Sequence, residues 1–281
     1  MLLLVACGST GVAEAQLQLL PDRGSQYVFS GNARNIWATF HNPDGQYFTG
    51  EIRTRLFQTS STMAVLWSDK PWKRLVIPAD ETVLASGALD FPPVKAETRF
   101  LIQWLDNTNR IIGRTEVWVY PTNLLAELNT LAGDEPLGLL DPQNQIKPLL
   151  KNLRVKFTDL GNAGLESFSG RLAILGPFQS KTQIREGMAD KVKALAKHGT
   201  AIVWITLPRA RGEKLMPSFY SVRENTNSVV VVQPDLVAAL TEQPQSQLNL
   251  VYFCRLALNP EPFVLSTITI QPEGENENET K

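Results

Sequence analysis

The feature that most constrains this chain is a change of hydrophobic pattern near Pro121. Upstream, from about Tyr27 to Tyr120, apolar residues recur at every second position between turn signals, as in strands with one buried face. Downstream, short uninterrupted apolar runs alternate with segments apolar at helical spacing, as in strands covered on both faces. One layer architecture does not produce both patterns, and 281 residues suffice for two separate cores.

In the first half, Asn35 to Phe40 leads into the turn Asn42-Pro43-Asp44-Gly45, and Glu51 to Leu56 then alternates charged with apolar or β-branched residues. Further strands are read at Leu75–Ile77, Thr82–Leu84, Arg99–Trp104 and Thr115–Tyr120, the last two joined as a hairpin by Asp106-Asn107-Thr108-Asn109. This number of short strands without long helical patterns predicts an all-β, immunoglobulin-like sandwich over residues 16–121. The runs HNPDGQYFTGEIRTRL, IPADETVLASGALDFP and RFLIQWLDNTNRIIGRTEVWVYP resemble the accessory Ig-like domains found beside bacterial carbohydrate-active and cell-surface proteins. That resemblance names no ligand.

Residues 122–134 read as a linker containing a helix from Leu124 to Leu131. Over residues 135–265 the reading is strand Leu137–Leu140, a helix opened by Asp141-Pro142 and running to about Leu153, then strands Val155–Phe157 and Leu172–Leu175. A long helix from about Lys181 to His198 comes next, closed by Gly199, and then strands Thr200–Ile205 and Ser228–Val232. Pro234 opens a further helix and Ser246–Leu258 forms the last. The expectation is an α/β Rossmann-like, doubly wound parallel sheet.

The runs PLGLLDPQNQIKPLLKNLRVKFTDL, GRLAILGPF and VKALAKHGTAIVWITLP resemble a class I glutamine amidotransferase-like domain, and more closely its non-catalytic relatives such as the trimerisation domain of bacterial β-galactosidases. The resemblance implies a Gly-x-Cys-x-Gly elbow after the strand at Ala201–Thr206 and a later His-x-Glu pair in catalytic members. This chain has Thr206-Leu207-Pro208 at the elbow and no histidine beyond His198, so the resemblance implies a pseudoenzyme.

Five of the six tryptophans fall in the first half. Trp67 and Trp72 bracket Ser68-Asp69-Lys70-Pro71, read as a loop, where aromatic faces could stack on sugar rings or simply pack the core. Asp141, near a strand end, is either a helix cap or a ligand contact. Arg209, Arg211 and Lys214 form a basic loop after the fourth strand, able to clamp an anion or dock a partner. His41 and His198 are the only histidines and stand apart, which argues against a zinc site; His198 reads as a helix C-cap. No cofactor motif is found. Gly161-Asn162-Ala163-Gly164 lacks the ending of a phosphate loop.

With 27 basic and 28 acidic side chains the net charge is −1, which disfavours nucleic acid as a partner. Residues 1–15 resemble the end of an export leader without its basic region, which a start codon placed too far downstream would explain. Leu4-Val5-Ala6-Cys7 resembles a lipobox with Cys7 as the acylated residue, whereas Ala13-Glu14-Ala15 would release a chain starting at Gln16; a buried N-terminal strand is the third reading. No run is long enough to span a membrane as a helix, so the expectation is an exported, periplasmic or lipid-anchored protein. Cys254 reads as a buried thiol, and residues 266–281 as a polar, disordered tail. The functional expectation is a non-enzymatic binding or assembly module for an envelope partner or a second copy. The alternatives are a glycan-binding accessory protein and an unrecognised hydrolase.

Overall fold

The computed structural model describes residues 17–21, 24–208, 218–224 and 227–260. Within them, eight strands precede Pro121: β1 (Gln18–Leu20), β2 (Gln26–Phe29), β3 (Ala33–His41), β4 (Phe48–Thr59), β5 (Ala64–Ile77), β6 (Thr82–Asp90), β7 (Thr98–Leu105) and β8 (Ile111–Tyr120). They form a three-stranded sheet in the order β1-β3-β6 and a five-stranded sheet in the order β2-β8-β7-β4-β5. The two share one core, in which Ile36, Phe40, Ile52, Phe100, Ile102 and Trp104 are fully buried. β2 runs parallel to β8, and every other pairing in these two sheets is antiparallel.

The segment read as a loop around Trp67 and Trp72 is instead the middle of β5, a fourteen-residue edge strand. Pro71 misleads a sequence reading because it suits an edge strand, where no partner requires its missing N–H. The β4–β5 pairing shifts register twice. Ile52 faces Lys73 while Arg53 faces Pro71, leaving Trp72 as the extra residue; Leu56 faces Ser68 while Phe57 faces Leu66, leaving Trp67 as the other. Each tryptophan therefore sits in a β-bulge, a device that re-aims a side chain.

Beyond Pro121, a 3-10 turn (Leu124–Glu127) and α1 (Leu128–Ala132) lead into β9 (Leu137–Leu140), α2 (Lys147–Asn152), β10 (Phe157–Asp159), α3 (Leu160–Ala163) and β11 (Leu172–Leu175). Then come α4 (Met188–Lys197), β12 (Ala201–Ile205), β13 (Phe219–Glu224), β14 (Asn227–Val232) and α5 (Pro244–Leu258). The sheet order is β10-β9-β11-β12-β14-β13, parallel except for β13, which pairs antiparallel with β14 on the edge. One face packs on α1, α2 and α5 through Leu128, Leu150, Leu250 and Cys254; the other packs on α4 through Val192, Leu195 and Ala196.

These findings correct the expected fold class. The fourteen strands of the described residues lie in three sheets, two of them mixed, and the helices are few and, α5 apart, no longer than ten residues, so neither an immunoglobulin-like sandwich nor a helix-rich Rossmann-like α/β domain describes the chain. The helix expected over Lys181–His198 is a three-residue 3-10 turn followed by the ten-residue α4, because Gly187 at φ 72° interrupts it. The helix expected from Asp141 begins only at Lys147, after Asn144 takes φ 52°. Between β10 and β11 stands the four-residue α3 rather than a full crossover helix.

Candidate functional site

All five parallel strands end on the same side. Chain order places β10 on one side of β9 and β11 on the other, so the connections after them diverge and open a crevice at the carboxyl ends. Its volume is about 430 Å³. Leu140, Leu160 and Met188 give it apolar lining, while Lys147, Arg185 and Lys191 bring positive charge. Each cation has a structural reason for its place. Lys147 is the first residue of α2, Lys191 lies on the first turn of α4, and Arg185 precedes the Gly187 cap of that helix. Gly187 supplies no side chain to α4's first N–H groups.

Lys147 Nζ lies 2.9 Å from Asp159 Oδ2, and Lys191 Nζ lies 2.7 Å from Glu166 Oε1. The Lys147 ammonium holds the Asp159 carboxyl below its usual range against the opposing effect of burial, aided by the Gly161 N–H at 3.0 Å. Lys191 likewise lowers the solvent-exposed Glu166 carboxyl. Among the described residues Arg185 makes no ion pair.

A second crevice, of about 470 Å³, lies over the ends of β11, β12 and β14 between Pro177, Phe178, Pro208 and Pro234. Gly176 at its margin has φ 100°, and a Cβ there would stand 2.4 Å from the Ile205 carbonyl oxygen, so the close approach of two strand ends requires glycine. Arg209, Arg211 and Lys214 lie outside the described residues, as does Cys7.

Asp141 lines the first crevice but is spent on structure. It is 3% exposed, and its carboxylate accepts the N–H groups of Gln145, Ile146 and Lys147 at 3.1, 2.7 and 2.8 Å. The two tryptophan candidates separate. Trp67 is 54% exposed, whereas Trp72 packs between the sheets with its ring 4.7 Å from Trp104 and 6.2 Å from Phe40. Trp72 is therefore engaged mainly in packing between the sheets.

Cys254 is fully buried in α5, where burial first and Glu127 second push its thiol far above the ordinary range. His198 ends α4 beside the amino end of β12, across the sheet from the crevice. His41 Nδ1 lies 3.1 Å from Thr82 Oγ1. No cluster of metal-ligating side chains occurs among the described residues, and no helix there is long and apolar enough to cross a membrane. Sequence reasoning missed Lys147, Arg185 and Lys191. The one signal for them was Arg185-Glu186-Gly187 at a helix start, and nothing in the chain order placed it beside Lys147.

No family model matches the chain, and no curated protein does. Solved structures align over part of it. The alkylpurine DNA glycosylase AlkC of Pseudomonas fluorescens, bound to DNA containing an abasic site analogue, aligns at 12% identity over 38% of this chain and 31% of its own, with TM-score 0.30. The β-glucosidase of Listeria innocua in complex with gluconolactone aligns at 11% identity over 37% of this chain and 16% of its own, with TM-score 0.28. The aligned region thus spans less than a third of either relative, and similarity of this order carries no argument about fold or activity.

Proposed function

We infer that this protein is an exported, non-catalytic binding or assembly module whose ligand or partner site is the crevice over the carboxyl ends of β9, β10 and β11. The composition of that crevice carries the reading: Lys147, Arg185 and Lys191 stand with Asp141, Glu166 and Glu186 around an apolar lining. With Asp141 committed to backbone, three cations and two carboxylates remain, so the matching ligand carries both signs, as an amino acid, a peptide or a polar loop of a partner does.

The non-catalytic reading rests on chemistry. A thiol held protonated inside α5 is a poor nucleophile, and His198 lies at the wrong end of the sheet to serve the crevice as a base. Export is carried over from the leader-like residues 1–15.

The test uses the full chain and an Arg185→Glu/Lys191→Glu variant. Exposed pairs such as Lys191–Glu166 contribute about 1 kcal/mol or less, so the variant folds. In-cell crosslinking and affinity purification are expected to recover a partner from the native chain and not from the variant, with a mature terminus at Cys7 or Gln16. In parallel, thermal melts are run against amino acids and dipeptides. Identical partners for both chains, together with unshifted melts, refute the reading.

A further inference from the structure

The two outer faces of the first half differ in kind. In the five-stranded sheet the β4–β5 pair carries a lattice of charge, Glu51 opposite Arg74 and Arg55 opposite Asp69, whose carboxylate also binds Arg53 at 2.9 Å, with exposed Val65, Leu66, Trp67 and Val76 flanking it along β5. A charged lattice is the ordinary solvated surface. The three-stranded sheet departs from it. Phe40, Ala38 and Ile36 point into the core, so the cross-strand register puts Gln18, Leu20, Asn35, Trp37, Thr39 and His41 outward, with Thr82, Leu84, Ser86 and Ala88 from β6 beside them. No lysine or arginine occupies an outward position of β1, β3 or β6; Lys70 and Lys73 reach the edge of the face from β5, with Lys73 Nζ 2.8 Å from the Ser86 carbonyl oxygen. The single carboxylate of the face, Asp90, stands in the end row and is paired with Lys70.

At the middle of this face Trp37 is 49% exposed, facing Ser86 across the strands, with Leu84, 68% exposed, on the diagonal. The Trp37 backbone is also pinned. β1 covers only the far end of β3, and the buried amide of Gln26, reaching from the other sheet, fills the remaining place. Gln26 Nε2 donates to the Trp37 carbonyl at 2.7 Å, and Gln26 Oε1 accepts the Trp37 N–H at 3.2 Å. A buried side chain thus stands in for a strand at the one residue whose indole projects from the face.

We propose that the outer face of the three-stranded sheet binds uncharged polysaccharide, with Trp37 as the stacking platform and Asn35, Thr39 and Ser86 as hydrogen-bonding groups around it. A sugar ring offers an apolar C–H face to an aromatic ring and hydroxyls at its rim. A sheet face with one half-exposed indole, surrounding amides and hydroxyls and its charges confined to the edge is complementary to both. The charges near it, the Lys73 ammonium and the Lys70–Asp90 pair, sit at the β6 edge and are engaged within the fold, so a charged polymer gains little counter-charge over Trp37. This site is independent of the crevice at the carboxyl ends.

The test is co-sedimentation of the full chain with cellulose, xylan, mannan, chitin and curdlan, and calorimetry with the matching oligosaccharides. Saturable binding to at least one of them, insensitive to salt, is expected. Trp37→Ala should weaken it about tenfold or more, with Trp67→Ala and Lys191→Glu binding like the native chain. Ser86→Arg, which sets a long charged side chain opposite Trp37, should block binding while leaving the core face of β6 untouched. Far-UV circular dichroism checks that each variant is folded. Absence of binding to all five polymers overturns the proposal, as does binding that survives both Trp37→Ala and Ser86→Arg. A dimer dispersed by Leu84→Asp with no glycan bound also overturns it, and assigns the face to a second copy.

Discussion

Trp67 and Trp72 lie five residues apart on one strand, and their opposite surroundings give opposite expectations for the same substitution. Trp72→Ala removes an indole packed on Trp104 and Phe40. Truncating a core tryptophan costs about 3–5 kcal/mol. Trp72 is incompletely buried, and its Nε1 has no hydrogen-bond partner, so deletion also relieves about 1 kcal/mol of desolvation. The net expectation is about 2–3 kcal/mol, against about 0.5 kcal/mol or less for the exposed Trp67→Ala.

Urea titration followed by far-UV circular dichroism reads this without relying on the deleted fluorophore. With a slope of about 2 kcal/mol/M, Trp72→Ala should lower the first-half midpoint by about 1–1.5 M, with Trp67→Ala unchanged. A second arm tests the contact directly. A Cβ on Gly87 would meet the Trp72 ring at 2.7 Å, so Gly87→Ala should destabilise the native chain by about 1–3 kcal/mol and be near neutral in the Trp72→Ala background. Equal shifts for the two tryptophans, or additive effects of Gly87→Ala and Trp72→Ala, would refute the packing argument.

Asp141→Ala leaves three N–H groups at the start of α2 without their charged acceptor, and should cost the second half about 2–4 kcal/mol in the same titration; a loss below about 1 kcal/mol contradicts the capping role. Asp106 accepts from the Thr108 N–H and hydroxyl and the Arg110 N–H at the β7–β8 turn; burial raises its pKa, but these bonds outweigh burial and hold it below the usual range. Because the folded value is the lower one, Asp106 stabilises the fold above pH about 4 and loses that contribution as pH falls through the folded value, so Asp106→Asn should flatten the acid limb of a stability profile measured there. Cys254 should resist thiol reagents in the native chain and react at the rate of unfolding, whereas prompt labelling would show that the α5 face opens without unfolding.

Individual elements were largely legible. The alternation in Asn35–Phe40 and Arg99–Trp104 and the continuous run Ala201–Ile205 each report burial that a strand then satisfies. Turn chemistry was legible at Asp106-Asn107-Thr108-Asn109, where Asn109 takes φ 63°. The fold class was not. Alternation states which face of a strand is buried but not which strand lies beside it, so the parallel pairing of β2 with β8 and the addition of β13 to the sheet edge left no periodic trace. Helix lengths failed for a local reason. The expected helices reached back to Asp141 and Lys181, but Asn144 and Gly187, each at positive φ, delayed their starts to Lys147 and Met188.

The sequence by itself determined which residues are apolar and at what period, that Asp141 is suited to cap a helix, and that Cys254 is an inert thiol. Tertiary structure alone decided which side chains meet. Two bulges, set by the register of β4 against β5, turned one tryptophan inward and left its neighbour in solvent. Gln26 found Trp37 because sheet packing laid their strands together, and Lys147, Arg185 and Lys191 converged because the sheet order divides at β9. Burial is written in one residue's polarity and its neighbours along the chain. Convergence depends on pairings between distant segments, which no single stretch of chain encodes.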